Sequence, residues 1–106
     1  MKKGICAKAP GWIQLELNGI WEFEEIEIAG WNGDTSIWSP TNGVNATILT
    51  SLDNKVYKKV GTLPSNFGAS IQNVKLIKSK AKYVRFETEL NIGIGYLNIK
   101  KLSSFK

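Results

Sequence analysis

Apolar and polar residues alternate along most of this chain, and the alternation has a period of two. In Gly11–Leu17, Ile13, Leu15 and Leu17 fall on one face while Trp12, Gln14 and Glu16 fall on the other. That is the pattern of a strand with one side buried. Asn18-Gly19 is a turn signal. The segment 21–29 is strand-like but changes phase: Trp21 and Phe23 share one parity, Ile26 and Ile28 the other. One extra residue near Glu24-Glu25, a β-bulge or a bend, reconciles the two halves. Further strands are predicted over 44–50, 56–63, 71–77, 83–88 and 96–102, and no segment carries a helical period.

About seven strands at this spacing predict an all-β fold, an antiparallel β-sandwich. The direction of successive strands then sorts the connections. Those at 30–43, 64–70 and 89–95 are expected at one end, and those at 18–20, 53–55 and 78–81 at the other. The first set is longer and holds the candidate ligand-binding residues Trp31, Asn32, Asp34, Trp38, Asn42, Asn66, Phe67 and Asn91. An indole or phenyl face stacks on the C–H face of a sugar, and neighbouring amides and carboxylates hydrogen-bond its hydroxyls. Phe67 is expected to be exposed, Trp31 and Trp38 are open to either exposure or capping of the core, and Trp12 and Tyr83 are expected to pack.

Length fits one domain over residues 1–106, with 1–10 as a short N-terminal arm. No apolar run reaches the roughly 18 residues that would span a bilayer, and the basic start Met1-Lys2-Lys3 lacks the apolar stretch of a signal peptide. The Asn45-Ala46-Thr47 sequon is accordingly read as chance. The net charge of +5 is unevenly spread. Residues 12–34 carry acids only (Glu16, Glu22, Glu24, Glu25, Glu27, Asp34), whereas bases dominate 75–106. Acidic and basic strands lying side by side, neutralising each other, account for this better than a nucleic-acid surface does, because the lysines are scattered and not clustered with aromatics.

Candidate chemistry is sparse. The chain has no histidine and a single cysteine, Cys6. The usual acid–base, nucleophilic and zinc constellations are therefore nearly excluded, and neither catalysis, a metal ion nor a cofactor is expected. Glu25 and Glu27, and likewise Glu87 and Glu89, share a face two residues apart but read as solvated stripes. Gly93-Ile94-Gly95 lacks the helix that would make it a phosphate loop.

Several segments resemble the discoidin, or coagulation factor 5/8 C-terminal type, family of galactose-binding-like jelly rolls. Gly11–Leu17 is similar to its W-I-Q-V-D-L strand, and 21–28 to the strand after it. Ser51–Gly61 resembles the S-x-D-G-x-x-W/Y-x-x-V-G hairpin, Ala81–Phe86 resembles A-R-Y-V-R-I, and Tyr96–Ile99 fits the last strand. Asn32–Trp38 looks like a D-G-D-x-S-x-x-W loop, but it follows the first strand where the family places it before. Family members carry a longer segment ahead of W-I-Q, often with a calcium-holding loop, and many sugar-binding members use a histidine this chain lacks. The resemblance implies a jelly roll that binds without catalysing, with a glycan or other cell-surface ligand as partner. The alternative is a structural subunit of a larger assembly such as a phage virion or tail, where the partners are further copies of the chain or other subunits. A single sugar site is weak, and a repeated assembly would supply multivalency.

Overall fold

In the computed structural model, which describes residues 5–31 and 42–105, six strands form one antiparallel hydrogen-bonded network. They are β1 (Ile5–Ala7), β2 (Gly11–Gly30), β3 (Thr47–Ser51), β4 (Lys58–Thr62), β5 (Gln72–Thr88) and β6 (Ile92–Phe105), in the spatial order β1-β6-β2-β5-β3-β4. There is no helix among the described residues.

The count differs from the seven predicted strands because two predicted turns lie inside continuous strands. Asn18-Gly19 lies within β2, where residues 17–20 intervene between the pairs Glu16↔Tyr83 and Trp21↔Ala81 while β5 contributes only Lys82. Gly19 takes φ 129°, a value that favours glycine, at this fold in the strand. Ser79-Lys80-Ala81 likewise stays within β5. The antiparallel ladder resumes beyond residues 17–20, so the strand continues where a turn was predicted. The arm contributes an unpredicted strand, β1, which pairs with β6 through Ile5↔Ile94 and Ala7↔Ile92.

The bends make a sandwich from a single network. The first part of β2 pairs with the second part of β5, which carries β3 and β4 beside it. The second part of β2 pairs with the first part of β5 on one side and with β6 on the other. The phase change expected at Glu24-Glu25 is present as a break in register against β6, where β2 takes three steps and β6 two between Phe23↔Lys101 and Ile26↔Ile99. It allows Phe23, Ile26 and Ile28 all to be buried despite their opposite parities. They join Ile13, Leu17, Ile48, Val60, Val74, Val84, Phe86, Ile92 and Ile94 in one core. The layers press closely: a Cβ added to Gly61 of β4 would lie 2.7 Å from Leu76 Cδ2 of β5.

The acids of β2 lie between the basic strands, as the charge pattern suggested. Glu25 is bridged by Lys75 at 2.7 Å and Lys100 at 3.3 Å. Hydrogen bonds from these two lysines lower its pKa below the ordinary carboxylate value, and the same contact with Glu25 raises that of Lys75. Asn98 Nδ2 donates to Glu27 at 2.9 Å, and Lys82 lies 3.6 Å from Glu16.

Candidate functional site

The segment after β2, the β4–β5 loop and the start of β6 meet at one end of the sandwich. The backbone N–H of Gly30 donates to Gly68 O at 2.6 Å, and that of Gly93 to Asn42 O at 3.2 Å. A Cβ added to Gly43 would meet Ile92 at 3.1 Å and Phe67 at 3.4 Å. The three segments expected at a common end are therefore brought together there, although β6 begins at Ile92 and shortens the third loop.

The predicted ligand residues have different fates at this apex. Trp31 is half-buried beside Gly93, where an added Cβ would approach Trp31 Cβ to 2.7 Å. Asn42 is half-buried and accepts through its carbonyl. Asn66 is exposed, with its backbone oxygen taking a 2.9 Å bond from Gln72 Nε2. Asn91 uses its side-chain oxygen to hold the arm, accepting from the Ala9 N–H at 2.9 Å. Phe67 corrects the expectation of exposure: it is 0% exposed. The tight turn closed by Phe67 N–H to Pro64 O, 3.1 Å, folds the ring into the core, where its apolar area is better sheltered than on a loop tip. Asn32, Asp34 and Trp38 lie outside the described residues.

Beside the apex opens a groove of about 670 Å³. Pro10, Gly11 and Trp12 form one wall, Val44, Asn45 and Thr47 another, and Glu87 to Leu90 at the end of β5 a third. Trp12 was expected to pack but is 57% exposed. With Ile13 and Leu17 pointing inward, the pleat turns Trp12 outward, opposite Glu87 of β5. The alternation of Gly11–Leu17 already carried this signal; the size and apolarity of the indole argued the other way.

The outer face next to the groove is tightly connected. Arg85 holds its guanidinium 4.2 Å from the Tyr57 ring centroid and 5.1 Å from that of Trp12. Its Nε and Nη2 donate to Gln14 Oε1 at 3.0 and 2.7 Å, and Nη1 to Glu87 Oε2 at 3.1 Å. Tyr57 Oη donates to the same Gln14 oxygen at 2.8 Å and also contacts Asn54 Oδ1. Gln14 Nε2 donates to Asn54 Oδ1 at 3.0 Å. Asn54 is presented by the β3–β4 hairpin, whose turn Asp53 organises by accepting from the Lys55 and Val56 N–H groups at 2.9 and 3.0 Å. Those two bonds lower the Asp53 pKa below its ordinary value. Among the described residues no group of three or more His, Cys, Asp or Glu is arranged to hold a metal ion. The arrangement offers an aromatic surface, fixed carboxylates and amides, which is binding chemistry.

These features define an all-β antiparallel sandwich with a groove beside its loop-bearing end. No protein-family model matches the chain, and no curated protein matches it. Solved structures do share its fold. A CBM32 module from Clostridium perfringens, in complex with GalNAc-β-1,3-galactose, superposes with a TM-score of 0.67 at 21% identity, covering 88% of this chain and 67% of that one. The lectin domain of lectinolysin, complexed with Lewis B antigen, gives 0.70 at 14% identity over 91% and 68% of the two chains. The CBM32 of AlyQ, in complex with 4,5-unsaturated mannuronic acid, gives 0.66 at 15% identity over 89% and 74%. Another neighbour is a CBM32 from a family 31 glycoside hydrolase of Clostridium perfringens.

Proposed function

We propose that this chain is a non-catalytic carbohydrate-binding module that takes its glycan at the apex. The observation that carries this reading is the convergence there of three chain segments, joined by the Gly30–Gly68 and Gly93–Asn42 backbone bonds. Their junction presents Trp31, Asn42 and Asn66, and Asn32, Asp34 and Trp38 fall between the first two in the sequence. A stiff sandwich displaying loops is a general way to build a binding surface. The three neighbours described above with a stated ligand hold sugars, which supports a glycan as the partner. They lend no support to a virion or tail subunit. The pairing of β2 acids with β5 and β6 lysines removes much of the basic field a nucleic acid would seek.

A glycan-array screen of the purified chain, with its mass fixed by light scattering in the same buffer, tests the proposal. Binding to a defined set of glycans, abolished in Trp31→Ala or Trp38→Ala, is the expected result. A folded protein that retains no glycan on the array contradicts it, and a defined oligomer without glycan binding returns the assembly alternative to first place.

A further inference from the structure

We infer that Asn18 is a site of spontaneous covalent modification, where the chain converts its own asparagine to aspartate and isoaspartate, and that the fold spares the same dipeptide at Asn42. In this chemistry the backbone nitrogen of the following residue gives up its proton and attacks the side-chain amide carbon. The N–Cγ bond forms, the Cγ–Nδ2 bond breaks, and the side-chain nitrogen leaves as ammonia. Water then opens the succinimide ring at either carbonyl, giving aspartate or isoaspartate. The attack is easiest when the following residue is glycine, which has no Cβ to obstruct it. Asn-Gly occurs at 18–19, 32–33 and 42–43. Asn45, Asn54 and Asn91 instead precede Ala46, Lys55 and Ile92, each with a side chain beside the attacking nitrogen.

The structure separates the first and last of these dipeptides. Asn18 is exposed, and its side chain has no hydrogen-bond partner among the described residues. Neither Asn18 nor Gly19 has a ladder partner. On β5 the pairing passes from Glu16↔Tyr83 to Trp21↔Ala81, and on β6 it starts at Ile20↔Phe105. Nothing in the ladder therefore holds the amide carbon and the attacking nitrogen apart. The extra backbone carbon of isoaspartate would also enter a stretch whose register no pairing fixes. Asn42-Gly43 is the opposite case. Gly43 is buried, with Ile92 at 3.1 Å and Phe67 at 3.4 Å from where a Cβ would stand. The Asn42 carbonyl accepts from the Gly93 N–H at 3.2 Å, and the Gly43 carbonyl from the Ala46 N–H at 3.0 Å. Reaction there waits for local opening of the apex. The apex thus keeps its amide at Asn42 while a carboxylate accumulates on β2.

The purified chain is aged in mildly alkaline buffer, which favours loss of the attacking proton, once folded and once unfolded in urea. Cleavage after glutamate isolates Asn18 in the peptide 17–22, between Glu16 and Glu22. Tandem mass spectrometry of the remaining peptides reads Asn42. Each conversion exchanges an amide NH₂ for a hydroxyl and is read as the corresponding gain in mass. In the folded chain Asn18 is expected to convert at least about tenfold faster than Asn42, which corresponds to an opening free energy of at least about 1.4 kcal/mol at the apex. In urea the two should convert at similar rates, since only folding distinguishes them. Asn18→Gln, whose longer side chain would have to close a larger ring, should leave the mass of the peptide 17–22 constant. Similar rates in the folded chain overturn the inference, as does an Asn18 that reacts in urea but stays intact in the folded chain. A faster Asn42 in the folded chain overturns it too, and would make the apex the looser of the two segments. The same preference for Asn18 in urea would assign the difference to neighbouring sequence and overturn the protection of Asn42 by the fold.

Discussion

Gln14 shows how much one side chain can organise. Its amide oxygen takes bonds from Arg85 and Tyr57 while its nitrogen donates to Asn54, so it ties β2, β5 and the β3–β4 hairpin together. Gln14→Ala removes two of the three hydrogen bonds of a guanidinium whose side chain is only 27% exposed, and is expected to cost about 1.5–3 kcal/mol in urea unfolding. Tyr57→Phe removes a single hydroxyl and should cost about 1 kcal/mol. Equal costs for the two would show that Gln14 is not the hub. Phe67 poses a different test, because a loop phenylalanine suggests a ligand contact while its complete burial makes it a core residue. Phe67→Ala is expected to lose about 3–5 kcal/mol, whereas a variant of unchanged stability and impaired glycan binding would reverse that assignment. Asp53 sets a pH dependence. Its folded-state pKa lies below the unfolded one, so its contribution is complete above the ordinary aspartate value, roughly 3.9, and is lost as pH falls through the lower folded-state value. Thermal melts of the wild type and Asp53→Asn should therefore differ near neutrality and converge in strong acid. A constant difference across that range would remove Asp53 from the turn's electrostatics.

Among the strands, the long ones decide the architecture, and they do so by bending. β2 and β5 serve both layers, which requires a register break wherever the path folds. Glycines stand where backbones or side chains come too close for a Cβ. At Gly95 an added Cβ would lie 2.6 Å from the Gly30 carbonyl oxygen, part of the β2–β6 junction. At Gly61 the nearest atom, 2.7 Å away, is the end of the flexible Leu76 side chain. Gly95→Ala should accordingly lower the melting temperature far more than Gly61→Ala, since a rotamer can yield and a paired backbone cannot. The same melting experiment with the order reversed would mean that the layers, and not the junction, are the tighter contact. The phase change in 21–29 and the inward parity of Ile13 and Leu17 were legible because a period of two has only two faces to assign. The continuity of β2 through 17–20 and of β5 through 79–81 was not, because Asn-Gly and Ser-Lys-Ala promote a change of direction without specifying whether the ladder continues through it.

Across the whole molecule the pairing is non-local. The first strand lies on the last, and β2 at the centre is flanked by β5 and β6 from the far half of the chain. Loop closure must precede most of these contacts, so stopped-flow refolding is expected on the millisecond-to-second scale typical of β-sandwiches. Microsecond folding would be inconsistent with this topology. The sequence by itself determined the all-β class, the positions of most strands, the pairing of acidic with basic strands and the common end of three loops, because alternation, turn residues and strand direction are local or additive properties. Only the tertiary structure decided that four predicted strands are two bent ones, that the arm adds β1, that Phe67 is core and that Trp12 faces a groove. Each of those depends on which surface another part of the chain happens to cover, and burial of a side chain is fixed by its distant neighbours as much as by its own apolarity.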